Sequence, residues 1–331
     1  MAKWLFLPFP SGKPWTGATL YTEPLGGSES AVAYTALELA RLGEEVTVCT
    51  HGTQKPTQLE GVQYLPSDQA AFRPLLEVEW DMIVSSRWPD ILSWPWQGWK
   101  CLWFHDMPHS IPNAAVNRLI FISEYQREAW RQPDEISTVI GNGVDLTIFD
   151  QAGTPERDPN KILWTSNPDR GLPIACKIFQ EVRKRWPDFE LHVYGRAAVY
   201  GWDASVEAPY MPLPADMENV FLHEPLTKRS LARELKTAWA WFYPTYWPET
   251  YCIAALEAQA AGTPIISVPF GALPETVEGG ILSYDILNAF SQLRNKRRWA
   301  KLSEAGIEHA SSRSWALRAE EWMKLCQTLT P

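Results

Sequence analysis

Pro244-Thr245-Tyr246-Trp247-Pro248-Glu249-Thr250-Tyr251-Cys252-Ile253-Ala254-Ala255-Leu256-Glu257-Ala258-Gln259-Ala260-Ala261-Gly262-Thr263-Pro264 carries two carboxylates, Glu249 and Glu257, with seven residues between them. The apolar run at residues 239–243 just ahead of it reads as a buried strand, broken by Pro244 and Pro248. Residues 254–261 are strong helix formers that stop at Gly262, before a second apolar strand at residues 264–268. Glu249 is therefore expected just ahead of a helix N-terminus and Glu257 about two turns inside it. At about 1.5 Å of rise per residue the carboxylates stand roughly 12 Å apart along the axis, about the reach from a sugar ring to a ribose across a diphosphate. Between them the N–H groups of Thr250, Tyr251 and Cys252 and the positive helix end offer an anion site.

Outward from this segment, apolar strand runs alternate with helical runs along nearly the whole chain. Strands are expected at residues 4–9, 46–50, 82–85, 101–104, 119–122 and 138–140, with helices at 28–42 and 124–131. A second alternation begins at Lys161, with strands at 161–165, 190–194 and 220–222 and helices at 174–185 and 230–237. Such alternation predicts an α/β fold of parallel sheets covered by helices. The polar stretch 150–160, with Gly153, Pro155 and Pro159, is the expected linker. The expected domains are 1–150 and 151–313, both doubly wound and facing a cleft at the carboxyl ends of their sheets, followed by a terminal helix at 314–331.

Composition narrows the function classes. A chain of 331 residues is comfortable for two domains, and 45% hydrophobic content supports a globular protein. No apolar run reaches the length of a membrane span, and the opening ten residues read as a core strand rather than a signal peptide. The five cysteines have neither disulfide nor metal-ligand spacing, which makes a reducing cytoplasm the expected location. Residues 1–150 hold ten basic against eighteen acidic side chains, within an overall formal charge of -9. That balance argues against nucleic acid as a partner, and the basic cluster 294–301 reads as a solvated helix face. Among the eighteen tryptophans, Trp15, Trp94 and Trp96 sit among Pro and Gly and are the candidates for stacking on an acceptor sugar.

The Glu249 to Glu257 segment resembles the paired-glutamate signature of the retaining family 4 glycosyltransferases, and its Ala261-Gly262-Thr263-Pro264 continues the match. The resemblance implies the GT-B architecture of two Rossmann-like domains, with a C-terminal helix crossing back to the first. It implies that Glu249 holds donor-sugar hydroxyls and Glu257 the ribose hydroxyls of a nucleotide. Gly26-Gly27-Ser28-Glu29 resembles the family's Gly-Gly-x-Glu loop, which faces the donor diphosphate and sugar. Arg170-Gly171 stands where the family has a Lys-Gly cation for the leaving diphosphate. Thr165 stands where it has an arginine, so either Thr165 and Ser166 supply hydrogen bonds instead or Arg196 helps. His105, with Asp106 after it and His109 as a nearby competitor, matches a histidine that contacts the donor sugar. Gly271 and Glu275 match a glycine loop and Pro-Glu pair. Catalytic roles thus fall on Glu249, Arg170 and His105. Donor binding falls on Gly26, Gly27, Arg170, Arg196, Glu249, Thr250, Tyr251, Cys252 and Glu257.

The implied activity moves a hexose-like sugar from a UDP- or GDP-linked donor to the hydroxyl of a carbohydrate or lipid-linked acceptor, which leaves peripheral membrane contact open. No cofactor is expected, and without an Asp-x-Asp motif no metal; helix ends and Arg170 take the cation's part. The alternatives are a nucleotide-sugar epimerase or sugar phosphorylase of the same fold, and a non-catalytic sugar-binding or scaffold protein derived from it. The nicotinamide fingerprint is absent, since no third glycine follows Gly26-Gly27 in place.

Overall fold

The computed structural model describes residues 1–10, 12–108, 115–196, 199, 201 and 203–329. The apolar runs become strands, and two compact units result, Met1–Gly143 with Trp315–Pro331, and Val144–Ser314. In the first unit the strands are β1 Lys3–Pro8, β2 Glu45–Thr50, β3 Thr57–Leu59, β4 Val62–Pro66, β5 Glu79–Ser86, β6 Gln97–Trp103, β7 Arg118–Phe121 and β8 Ser137–Val139. They pair in the order β3-β4-β2-β1-β5-β6-β7-β8, all parallel except β3 with β4. The β3–β4 hairpin was not foreseen. It turns on Glu60 and Gly61, both at positive φ (47° and 84°), the geometry that matches strand twist in a two-residue turn. Glu-Gly signals such a turn more weakly than Asn-Gly does.

The helix Trp315–Leu329 completes the first unit. Its Trp322 meets Trp103 at 5.0 Å, Trp4 at 6.4 Å and Phe6 at 6.5 Å between ring centroids, and Trp315 stacks on Tyr34 at 5.6 Å. Much of the tryptophan content is thereby core. Trp15 and Trp96 are buried, at 1% and 4% exposure. Trp96 donates to the carbonyl of Ile91 and stacks on Trp94, which in turn packs edge-on against Phe72. The three expected stacking surfaces are therefore corrected to core and core-edge residues, drawn in by the apolar area that each indole removes from water.

The second unit holds β9 Asp158–Trp164, β10 Glu190–Val193, β11 Val220–Leu222, β12 Ala238–Tyr243, β13 Ile265–Ser267 and β14 Gly280–Leu282. The sheet order β11-β10-β9-β12-β13-β14 is parallel throughout. Counted from β9 this is 3-2-1-4-5-6, the doubly wound order whose direction reverses between its first and fourth strands.

The division between units falls at Gly143, ahead of the expected linker. Residues 150–160 instead end the helix Leu146–Gln151 and begin β9. Asp145 caps that helix by accepting from the N–H of Thr147, and Val144 N–H donates to the carbonyl of Arg313 at 2.9 Å. The start of the second unit is thus tied to its own end. Gly153 and Pro155 mark a loop inside this unit rather than the passage between units, and Pro159 lies in β9.

Candidate active site

β9 and β12 lie side by side in the second unit, yet the chain leaves β9 toward β10 and leaves β12 toward β13. Where the strand order reverses in this way, open parallel sheets bind ligands in the crevice outside the strand ends. Residues 165–171 follow β9 and residues 244–252 follow β12. The threonine hydroxyl of Thr245 donates to the carbonyl of Arg170 at 2.6 Å and accepts the N–H of Trp247 at 2.9 Å, clamping the two loops together.

Glu249 is 3% exposed and Glu257 6% exposed. A buried carboxylate is costly unless its charge is met, and each has a cation. Arg170 donates through Nη1 to Glu249 Oε1 at 2.9 Å, and the hydroxyl of Tyr243 donates to the same oxygen. Burial and Glu249 hold the Tyr243 phenol well above its ordinary pKa, so it stays a proton donor. Ser166 Oγ donates to the Tyr243 oxygen at 3.3 Å, extending the network to the end of β9. Lys228 Nζ lies 2.5 Å from Glu257 Oε1.

Tyr243 and Lys228 were not identified from sequence. Tyr243 reads only as the last residue of an apolar strand. Lys228 follows Thr227, which caps the helix Lys228–Thr237, and nothing local marks a lysine 29 residues away as the partner of Glu257.

The helix carrying Glu257 is Ile253–Ala260, with Cys252 as its N-cap in the left-handed region (φ 75°, ψ 75°). It begins one residue ahead of the expected run 254–261, and Glu257, its fifth residue, sits just past the first turn rather than two turns inside. The N–H groups of Thr250, Tyr251 and Cys252 correspondingly precede the helix, and the donors of its first turn belong to Ile253 and its successors. Burial and Glu249 push the Cys252 thiol well up, which keeps it uncharged beside the carboxylate. Gly271 adopts φ +63°, and a Cβ there would lie 2.6 Å from Glu249 N. The N–H of Ala272 donates to the Glu249 carbonyl at 2.8 Å. The expected glycine loop therefore packs on the backbone of Glu249, whereas Glu275 is exposed.

The cations around this crevice are not arranged as a sequence reading supposes. Thr165 Oγ1 accepts the indole N–H of Trp241 at 2.8 Å. Arg196 donates to Glu207 Oε1 at 2.9 Å, so a role toward a diphosphate requires exchange of that ion pair. Asp169, next to Arg170, has its carboxyl pushed up by burial, with Glu249 adding to the shift and Arg170 opposing it.

In the first unit, Gly26 is the buried N-cap of the helix Gly27–Arg41. His105 packs on Trp103 at 4.6 Å between centroids, and burial together with Arg87 pulls its pKa down to about 3, leaving the imidazole neutral. Arg87, at φ 63°, donates to Asp106 Oδ2 at 2.6 Å and to Ser28 Oγ at 3.3 Å. Sequence reading had not singled it out. It links the glycine loop to the end of β6. His109 lies outside the described residues. Among the described residues no group of three or more His, Cys, Asp or Glu could hold a metal ion.

Residues 159–306 match the model for glycosyl transferases group 1. Over that stretch, most of the second unit, the chain is similar to glycosyl transferases of group 1. A D-inositol 3-phosphate glycosyltransferase of Thermobifida fusca is 30% identical over 211 residues, covering 55% of this chain and 47% of that protein. The chain thus aligns with about half of that relative. A Corynebacterium aurimucosum protein of the same description is 25% identical, covering 92% of this chain and 93% of its own length. The structure of Anabaena Alr3699/HepE in complex with UDP-glucose superposes with TM-score 0.71 at 15% identity, over 99% of this chain and all of that one. Two parallel-sheet α/β units with such neighbours are the GT-B architecture, as expected.

Proposed function

We propose that this chain is a glycosyltransferase that retains the anomeric configuration of a sugar that it moves from a nucleotide diphosphate donor, UDP- or GDP-linked, to an acceptor hydroxyl. One observation carries the reading: two buried carboxylates, each held by a basic side chain, flank the start of one helix at the switch point of a doubly wound sheet. In this reading Glu257, oriented by Lys228, takes the ribose hydroxyls, and Glu249, oriented by Tyr243, takes hydroxyls of the sugar. Arg170 and the first N–H groups of the helix Ile253–Ala260 meet the diphosphate between them. The neighbour that holds UDP-glucose supports a nucleotide-sugar donor, and the relatives' names support a hydroxylated, carbohydrate-like acceptor.

The leaving diphosphate departs on the face from which the acceptor enters, and one of its oxygens takes the acceptor proton. No protein side chain then needs to be the nucleophile, and the enzyme acts by orientation and by stabilising charge. Protein cations neutralise the diphosphate, so transfer proceeds without metal. The reaction is assigned to the cytoplasm, which suits five cysteines that are all buried and outside any disulfide. Among the described residues no helix is long and apolar enough to cross a membrane.

The test separates the two glutamates. Glu257→Ala should weaken UDP or GDP binding about tenfold or more, the scale of one charged hydrogen bond at roughly 1.5–3 kcal/mol, while Glu249→Ala spares it. Calorimetry showing equal nucleotide affinity in wild type and Glu257→Ala would remove the assignment. NMR of the product made from the bound donor decides retention, and an inverted linkage would overturn it.

A further inference from the structure

Large aromatic side chains in this chain are mostly buried, and Tyr246 and Trp247 depart from that rule at the mouth of the site, at 47% and 39% exposure. Neither ring is loosely held. Trp247 is fixed through its backbone N–H on Thr245 Oγ1, and the Arg170 guanidinium lies 5.3 Å from its ring centroid, a cation–π contact. The hydroxyl of Tyr246 donates to the carbonyl of Asp169 at 2.7 Å. Glu249 follows Trp247 by two residues and shares Arg170 with it.

Three contacts thus hold two apolar ring surfaces toward solvent beside the carboxylate assigned to the donor sugar. Exposing such area costs hydrophobic free energy, and the bracing removes the flexibility by which the rings could bury themselves. A rigid indole with an accessible face suits the C–H face of a pyranose or cyclitol ring, to which it offers apolar area at low entropic cost.

We infer that Trp247, flanked by Tyr246, is the platform on which the acceptor's sugar or cyclitol ring stacks next to Glu249. The inference rests on the glycosyl-transfer reading above and assigns acceptor recognition to the donor-holding unit. Trp247 and Tyr246 take the place of Trp15, Trp94 and Trp96, whose faces the fold consumes. Through Arg170, the platform also sits against the cation assigned to the leaving diphosphate.

The experiment titrates methyl α-D-glucopyranoside and myo-inositol against the full chain by saturation-transfer NMR, with and without saturating UDP. UDP and GDP affinities are measured in parallel by calorimetry. The variants are Trp247→Ala, Trp247→Leu and Trp247→Phe. At least one carbohydrate should bind the wild type. Ala and Leu should weaken it about tenfold, Phe by less than about threefold, and nucleotide affinity should stay within about twofold in all three. The Leu variant keeps apolar volume without a ring face, and Phe keeps both the face and the contact with Arg170.

Carbohydrate affinity unchanged in Trp247→Ala, or no binding of either probe to the wild type, overturns the platform. Nucleotide affinity that falls together with carbohydrate affinity overturns it too, because Trp247 would then act only through Arg170. Flotation with phosphatidylglycerol vesicles that is lost in Trp247→Ala, at unchanged carbohydrate affinity, replaces it with a membrane contact. If the wild type binds neither UDP nor GDP, the donor reading fails, and the titration without nucleotide still decides the platform.

Discussion

Gly271→Ala should damage the enzyme through the backbone of Glu249, a residue that it leaves chemically intact. Gly271 adopts φ +63°, and a Cβ there would lie 2.6 Å from Glu249 N, 2.7 Å from Glu249 O and 3.0 Å from Pro248 C. The left-handed conformation alone costs an L-residue about 1–2 kcal/mol. The collision adds to that, because all three atoms are backbone and cannot rotate away. Ordinary contact begins at 3.4 Å, so the segment must shift by about 0.8 Å, which also strains the hydrogen bond from Ala272 N–H to Glu249 O. A displacement near 1 Å at a group that positions the reacting centre costs on the order of 10²-fold in rate.

Gly153→Ala is the control, since Gly153 has φ +68° and nothing within 4 Å of a Cβ. Both variants should lose about 1–2 kcal/mol in urea unfolding from backbone conformation. Only Gly271→Ala should lose more than this and also fall about a hundredfold in turnover of the donor. Its nucleotide affinity, assigned above chiefly to Glu257 and its partner Lys228, should stay near that of the wild type. Wild-type turnover in Gly271→Ala would refute the claim that this glycine exists to let Glu249 stand where it does.

Three further outcomes follow from the same geometry. Trp322→Ala removes a fully buried indole from between Trp4, Phe6 and Trp103 and should cost about 3–5 kcal/mol by chemical denaturation. A loss under about 1 kcal/mol would deny the terminal helix its place in that core. EDTA should leave transfer unchanged, and activity lost in EDTA and restored by magnesium or manganese would contradict charge neutralisation by Arg170 and the helix end. The folded-state pKa of His105, lowered to about 3, implies stability that is present above the unfolded value near 6.5 and lost as pH falls between the two. Unfolding measured from pH 7 to pH 4 should therefore fall less steeply in His105→Asn than in wild type, and identical slopes would show that burial of the neutral ring makes no contribution.

What the sequence determined by itself is local. Strand runs of apolar residues, the alanine-rich helix stopped at Gly262, and the pairing of Glu249 with Glu257 follow from propensity and spacing, which act over a few residues and are written consecutively. Gly271 was legible as a loop glycine, although its reason, the backbone of Glu249 against it, was not. Tertiary structure decided which charges meet. Arg170 reaches Glu249 across 79 residues because the sheet order 3-2-1-4-5-6 brings the ends of β9 and β12 together, and Lys228 reaches Glu257 across 29 because the helices before and after β12 pack against each other.

The unit boundary and the role of each tryptophan were decided in the same way. Residues 150–160 have the composition of a linker, but the division lies at Gly143, where Val144 pairs with the end of its own unit. Trp15, Trp96 and Trp247 all sit near proline in sequence, yet only Trp247 keeps an exposed face. Burial depends on what the rest of the chain packs against an indole, and that is set by contacts among residues far apart in sequence.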